Sequence, residues 1–144
     1  QQKRISELII KNLFGTLSEK KLAIFGFSFK ANTNDTRESP SISISNHLLE
    51  EGARLNIYDP RVSENQILEI LISKEIDIFQ SPFEAAKDVD AIIIMTEWQE
   101  FNRLDWENIF SLMRKPAWIF DTRLCLDTTN LKKIGFNIWS VGSD

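Results

Sequence analysis

Apolar residues along the chain follow two spacings, one typical of buried strands and one typical of amphipathic helices. Short apolar runs predict strands at 21–25, 54–58, 76–79, 91–95, 117–120 and 137–141. Helical spacing predicts helices at 4–14, 40–51, 66–72, 82–87, 105–113 and 128–133. Because strands and helices alternate throughout, the pattern predicts a doubly wound α/β fold, with a mostly parallel Rossmann-like sheet and helices on both faces.

The run 91–95 gives the clearest strand pattern in the chain. All five of its residues are apolar, so the strand has no polar face to present to water. We therefore expect it to be a central strand of the sheet, with Ile93 buried.

The first predicted helix has an apolar stripe but no residue suited to cap its start. Ile5, Leu8, Ile9 and Leu13 share one face, and the segment before them is Gln-Gln-Lys. We expect residues 1–15 to be the C-terminal end of a longer connecting helix, and residues 16–144 to form the domain itself.

Composition narrows the class of protein. The chain has 144 residues, of which 42% are hydrophobic and 26% charged, as expected for one domain with a buried core. The net charge of −4 argues against general binding to nucleic acid or to anionic membranes. No apolar stretch is long enough to span a bilayer, and no metal-ligand pattern is present. With one cysteine and no signal peptide, we expect a cytoplasmic protein.

Ligands of parallel sheets bind at the carboxyl ends of the strands, so three loops are candidate ligand-binding segments. They are the first loop (26–39), the second loop (96–101) and the third loop (121–127). The first loop has a single glycine and lacks both the dinucleotide and the P-loop patterns. It carries Lys30 and Arg37, and the third loop carries Arg123; such side chains bind phosphate or carboxylate. The alternative for Lys30 and Arg37 is ordinary surface pairing with Asp35 and Glu38.

A cysteine, an aspartate and two phenylalanines also lie in or near these loops. Cys125 has no predicted base beside it and lies between two leucines, which favours a buried, inert thiol. Asp59 ends the second predicted strand, where a turn role with Pro60 is favoured over ribose binding. Phe27 is expected to pack in the core, whereas Phe29 stands beside Lys30 in the first loop.

Several motifs occur together in one order along the chain. They are FGFSFKANTNDTRESP (25–40), YDP (58–60), TEW (96–98) with Phe101, KP (115–116) and FDTR (120–123). In this order and spacing the sequence resembles the C-terminal, UDP-binding domain of UDP-glucose 6-dehydrogenases, which belong to the UDP-glucose/GDP-mannose dehydrogenase family. The resemblance covers essentially the whole chain.

The resemblance implies a function that composition does not reveal. Enzymes of this kind oxidise UDP-glucose to UDP-glucuronate with two NAD⁺, and an N-terminal domain of the same protein holds most of the NAD. Position by position, the resemblance implies that Phe29, Lys30 and Arg123 contact the nucleotide sugar and that Arg37 reaches the NAD. The chain departs from the family at Thr122, where glycine is usual, so the loop that carries Arg123 can differ.

The family's nucleophilic cysteine lies in a glycine-rich N-terminal segment that this sequence does not contain, and Cys125 does not match it. The resemblance therefore implies a chain that binds substrate but does not turn it over alone, and a homo-oligomer for the full-length enzyme. Two alternatives remain open: the same domain of a GDP-mannose or UDP-N-acetyl-sugar dehydrogenase, and a stand-alone nucleotide-binding module. Thr36, the Glu97-Trp98 pair and Asp121 resemble the UDP-glucose branch more closely.

Overall fold

The structure is a computed structural model that describes residues 2–13 and 15–141. Its helices are α1 (Gln2–Asn12), α2 (Pro40–Glu50), α3 (Glu64–Ile70), α4 (Pro82–Ala86), α5 (Gln99–Asn102), α6 (Trp106–Leu112) and α7 (Thr128–Ile134). Its strands are β1 (Lys21–Phe25), β2 (Arg54–Tyr58), β3 (Ile76–Ile78), β4 (Ala91–Ile94), β5 (Trp118–Asp121) and β6 (Asn137–Ser140). The predicted alternation of strands and helices is confirmed.

The six strands form one sheet in the order β3-β2-β1-β4-β5-β6, and every pairing in it is parallel. The order reverses between β1 and β4, which makes their carboxyl ends the switch point where such sheets bind ligands. Phe25 pairs with Ile94, and Ile94 pairs with Asp121, so β1, β4 and β5 end level with one another. The three loops singled out from the sequence therefore leave the same edge.

Helices cover both faces of the sheet, as predicted. On one face α1, α2 and α3 contribute buried residues such as Ile9, Ile44 and Ile67. On the other face α4, α6 and α7 contribute Ala85, Ile109 and Leu131. All four residues of β4 are fully buried, including the Ile93 of the central-strand prediction, because each face of that strand is covered.

The boundaries of the twelve predicted elements lie within two residues of the predicted ones, and the displacement of α3 has a local cause. α3 begins earlier than predicted because Ser63 and Gln66 form a capping box, and the helix ends before Ile72, which is 92% exposed. α5 is a single turn that the sequence pattern did not predict. Phe14, placed by that pattern in the first helix, lies outside the described residues. Within 2–13 and 15–141, no helix has the length and apolar character to cross a membrane.

Candidate functional site

Gly26 brings the first and second loops into close contact at the switch point. Its φ is +99°, a conformation that favours glycine, and its N–H donates to the carbonyl oxygen of Tyr58. A Cβ at this position would lie 2.5 Å from both Cβ and Oγ1 of Thr96. The single glycine of the first loop therefore serves close packing against the second loop.

Asp59 ties three segments of this edge together through its buried carboxylate. Oδ2 accepts hydrogen bonds from the amides of Phe27 (2.6 Å) and Ser28 (3.1 Å) and from Nε1 of Trp98 (3.2 Å). Oδ1 accepts from two amides of the turn that follows Asp59. The predicted turn role is confirmed, but the bonds to the first and second loops were not foreseen.

Hydroxyl groups add further links between these loops. Oγ1 of Thr96 donates to the carbonyl oxygen of Ser28 at 2.9 Å, and Oγ of Ser41 donates to the carbonyl oxygen of Gly26 at 2.9 Å. Ser39 caps α2 by accepting a hydrogen bond from the amide of Ser41. The first loop is thus fixed at both ends, and a residue of the loop itself, Ser39, caps the start of α2.

The third loop is folded around the fully buried carboxylate of Asp121. Oδ1 accepts from the amide of Arg123 at 3.1 Å, and Oδ2 accepts from the amides of Cys125 and Leu126, each at 3.0 Å. Thr122, the departure from the family pattern, donates its hydroxyl hydrogen to the carbonyl oxygen of Ile94 at 2.6 Å. The backbone that carries Arg123 is therefore held on both sides.

The Arg123 guanidinium forms an ion pair with Glu97, with Nη2 2.7 Å from Oε2. The two side chains are 30% and 39% exposed. Burial alone would raise the pKa of Glu97, but its own amide, the Arg123 guanidinium and the nearby Ala31 amide together lower that pKa below its usual value. Glu97 therefore carries a negative charge at neutral pH. This charge lies near residues of both the first and the third loop.

Phe29 and Lys30 lie on the exposed side of the first loop, next to Ala31. The Phe29 side chain is 44% exposed, whereas Phe27 is fully buried in the core, as predicted. Lys30 is exposed and makes no salt bridge to any residue that the structure describes. Lys30 and Arg123 thus follow strands that end at the same edge. Glu97, in the second loop, is close both to the Ala31 amide of the first loop and to the Arg123 guanidinium of the third loop.

Arg37 pairs with an acidic residue of its own loop. Its side chain is 88% exposed, and its Nη2 is 2.8 Å from Oδ2 of Asp35. Hydrogen bonds from the side chain and backbone of Arg37 lower the pKa of Asp35 to about 2. The surface pairing weighed as an alternative for Arg37 is confirmed, and it leaves the guanidinium facing solvent.

The prediction that Cys125 is buried between packed leucines is wrong. Cys125 is half-buried and Leu124 is 65% exposed, because Asp121 draws the amides of Cys125 and Leu126 inward and Leu124 adopts a φ of +55°. Burial, followed by the charges of Asp121 and Glu97, raises the pKa of Cys125 to about 12, which keeps the thiol protonated at neutral pH.

A cavity of about 300 Å³ adjoins the ion pair. It is lined by Glu97, Trp98, Gln99, Asn102, Arg103 and Cys125. In the part of the chain that the structure describes, no group of three or more His, Cys, Asp or Glu side chains is arranged to hold a metal ion. Sequence reasoning missed Glu97 and Asp121 as site residues, although Asp121 immediately follows a predicted strand and Glu97 lies two residues after another at the ligand-binding edge.

Comparison with known proteins agrees with this architecture. A family model described as "UDP-glucose/GDP-mannose dehydrogenase family, UDP binding domain" matches residues 23–128. The chain is 44% identical to the UDP-glucose 6-dehydrogenase of Drosophila melanogaster over 153 residues, covering 99% of this chain and 32% of that protein. It is 46% identical to the Gallus gallus enzyme of the same name over 154 residues, covering 99% and 31%. The chain thus spans about a third of the length of these curated relatives.

Solved structures share the fold at lower identity. The NDP-N-acetyl-D-galactosaminuronic acid dehydrogenase of Methanosarcina mazei Go1 matches with a TM-score of 0.80 and 19% identity, over 99% of this chain and 29% of that chain. A UDP-glucose dehydrogenase of Pyrobaculum islandicum matches with a TM-score of 0.70 and 21% identity, over 94% and 30%. With a family model covering most of the chain and a fold that agrees, this chain belongs to the UDP-glucose/GDP-mannose dehydrogenase family, where it corresponds to the UDP binding domain.

Proposed function

We propose that this chain is the substrate-binding part of an NAD-dependent UDP-glucose 6-dehydrogenase, which converts UDP-glucose to UDP-glucuronate. The observation that carries the proposal is the arrangement at the switch point, where Lys30 and the ion-paired Arg123 leave the same edge of a fully parallel sheet. Identity of 44–46% to enzymes named UDP-glucose 6-dehydrogenase supports this substrate over related nucleotide sugars.

Three side chains are suited to recognise the nucleotide sugar. Arg123 offers a planar fork of N–H donors and Lys30 a mobile positive charge, and both suit the oxygens of a diphosphate. Phe29, 44% exposed beside Lys30, presents a flat apolar surface to a base or to a sugar face. Together they provide charge, directed hydrogen bonds and an apolar contact within one loop cluster.

NAD would be held mainly by another domain, and Arg37 is the residue of this chain that fits it. A cradle of the usual kind needs close backbone approach at a glycine and a free helix start. Here Thr96 fills the space beside Gly26, and Ser39 caps α2. Arg37 is 88% exposed and steadied by Asp35, so its guanidinium can reach phosphates across a domain interface. When bound, NAD accepts the hydride that leaves the sugar.

The rest of the enzyme follows from the same proposal. Within it, α1 belongs to the segment that connects the two domains, and residues 16–144 are the domain that meets an N-terminal NAD-binding domain in a homo-oligomer. The relatives are about three times as long as this chain, which is consistent with such a partner domain. The nucleophilic cysteine is expected in that other portion, because the high pKa of Cys125 leaves its thiol protonated at neutral pH.

Calorimetric titration of UDP-glucose into the full-length protein tests the proposal. We expect Arg123→Ala to weaken binding about ten- to a hundredfold, since it removes a charge-assisted contact, while NAD affinity is kept. Arg114→Ala is the matched control, because Arg114 also forms a half-exposed ion pair, with Asp90 at 3.2 Å, at the amino end of β4.

Arg37→Ala should have the opposite pattern, with weaker NAD binding and unchanged UDP-glucose binding. Titrations of GDP-mannose and a UDP-N-acetyl-sugar distinguish the branches of the family. Tighter binding of either competitor would reject UDP-glucose as the substrate, and unchanged affinity in Arg123→Ala would reject the site.

A further inference from the structure

Glu97 occupies a place in the candidate site where a negative charge needs an explanation. It follows Thr96 in the second loop, at the switch point, and lies between the Ala31 amide and the Arg123 guanidinium. Its lowered pKa keeps it ionised in a site proposed to bind an anionic diphosphate. By itself such a charge repels the ligand, so a compensating role is expected.

The contacts of its two carboxylate oxygens differ sharply. Oε2 accepts the hydrogen bond from Nη2 of Arg123 at 2.7 Å, whereas Oε1 is buried and no described donor meets it with good hydrogen-bond geometry. The Glu97 and Ala31 amides lie near enough to the carboxylate to lower its pKa. A buried acceptor without a partner is costly, and such costs are concentrated at functional sites. Among its well-formed contacts the Arg123 pair is therefore the side-chain contact that orients the carboxylate.

The pair also fixes the one part of Arg123 that the rest of the loop leaves free. Asp121 accepts from the Arg123 amide and Thr122 bonds to the end of β4, so the backbone is already held. The long side chain still has several rotatable bonds, and immobilising such a side chain on binding lowers affinity about two- to tenfold. Among the described residues, Glu97 is the group that holds the guanidinium in the free protein.

We propose that Glu97 is a positioning residue, whose carboxylate pre-organises the Arg123 guanidinium for the nucleotide sugar. This inference rests on the proposed function. It requires that Glu97 favours binding only through Arg123. Without Arg123, the carboxylate would leave an uncompensated negative charge facing the ligand.

A double-mutant cycle on UDP-glucose binding to the full-length protein tests this role. We expect Glu97→Gln to weaken binding about three- to tenfold, the effect of degrading one hydrogen bond to a charged group. In the Arg123→Ala background, the same substitution should leave affinity unchanged or improve it. The KM for UDP-glucose should rise in Glu97→Gln, with kcat and the KM for NAD unchanged.

Glu75→Gln is the matched control, because Glu75 forms a half-exposed ion pair with Arg54 at the amino ends of β2 and β3. Partly exposed ion pairs contribute little to stability, so both Gln variants should fold and melt close to the unaltered protein.

Each result bears on one of the two ideas. Unchanged affinity in Glu97→Gln, equal weakening with and without Arg123, or loss of folding in Glu97→Gln would overturn the positioning role while leaving the proposed function intact. Failure of the unaltered protein to bind UDP-glucose, or unchanged affinity in Arg123→Ala alone, would overturn the proposed function and this inference with it.

Discussion

The most demanding prediction concerns Asp59, which accepts five hydrogen bonds through one buried carboxylate. Asp59→Asn keeps the size of the side chain but replaces one acceptor oxygen with an NH₂ donor. If the NH₂ takes the place of Oδ2, it faces three N–H groups; if it takes the place of Oδ1, it faces two. The second orientation loses fewer bonds, and two bonds to backbone amides at about 1–2 kcal/mol each give a destabilisation of about 2–4 kcal/mol.

Equilibrium unfolding in urea, followed by far-ultraviolet circular dichroism and tryptophan fluorescence, measures this change. Asp127→Asn is the control, because Asp127 is exposed and caps α7 with a single bond to the Asn130 amide, a role in which Asn serves equally well. A change below about 1 kcal/mol in Asp59→Asn, or one no larger than the control, would refute the view that Asp59 holds the site together.

Three further expectations follow from the same geometry. Gly26→Ala should cost about 2–4 kcal/mol of unfolding free energy, whereas Gly15→Ala, also at positive φ but with open space around it, should cost about 1 kcal/mol; equal costs would contradict the packing argument. Cys125, with a pKa of about 12, should react with iodoacetamide at pH 8 at least about a hundredfold more slowly in the folded than in the unfolded protein, and equal rates would contradict it. The carboxyl carbon of Asp35 should titrate in NMR spectra near pH 2, below its ordinary 3.8. Because the folded pKa is the lower one, the stabilisation is present above pH 3.8 and lost as pH falls through 2, and Arg37→Gln should move the midpoint back toward 3.8.

The fold could be predicted because each element carries its own local pattern. The all-apolar run of β4 and the capping residues of α2 need no tertiary information. The start of α3 is also encoded locally, by the Ser63–Gln66 capping box. The apolar spacing alone placed this helix two residues too late. α5 is different: the residue at its N-cap position, Trp98, makes no side-chain cap, so this four-residue helix has no local sequence pattern that predicts it.

The candidate site was only partly predictable, because its basic residues follow strand ends but their partners are distant in sequence. Trp98 bonds to Asp59 across 39 residues, and Arg123 pairs with Glu97 across 26. Nothing in the local pattern of either acid distinguishes a loop-organising carboxylate from a solvated one. Only the pairing of β1 with β4, and of β4 with β5, brings these segments to one edge.

An acidic chain with net charge −4 needs a structural feature that lets it attract an anion. At this edge three carboxylates are occupied by hydrogen bonds or by an ion pair. Asp59 and Asp121 are buried and turned toward backbone amides, so their charge is spread over five and three N–H groups. Glu97 is matched by Arg123. The first loop then contributes Lys30, an exposed ammonium group that forms no ion pair with any described residue. Since clefts focus the field of the charges that line them, this edge can favour an anion while the molecule as a whole stays acidic.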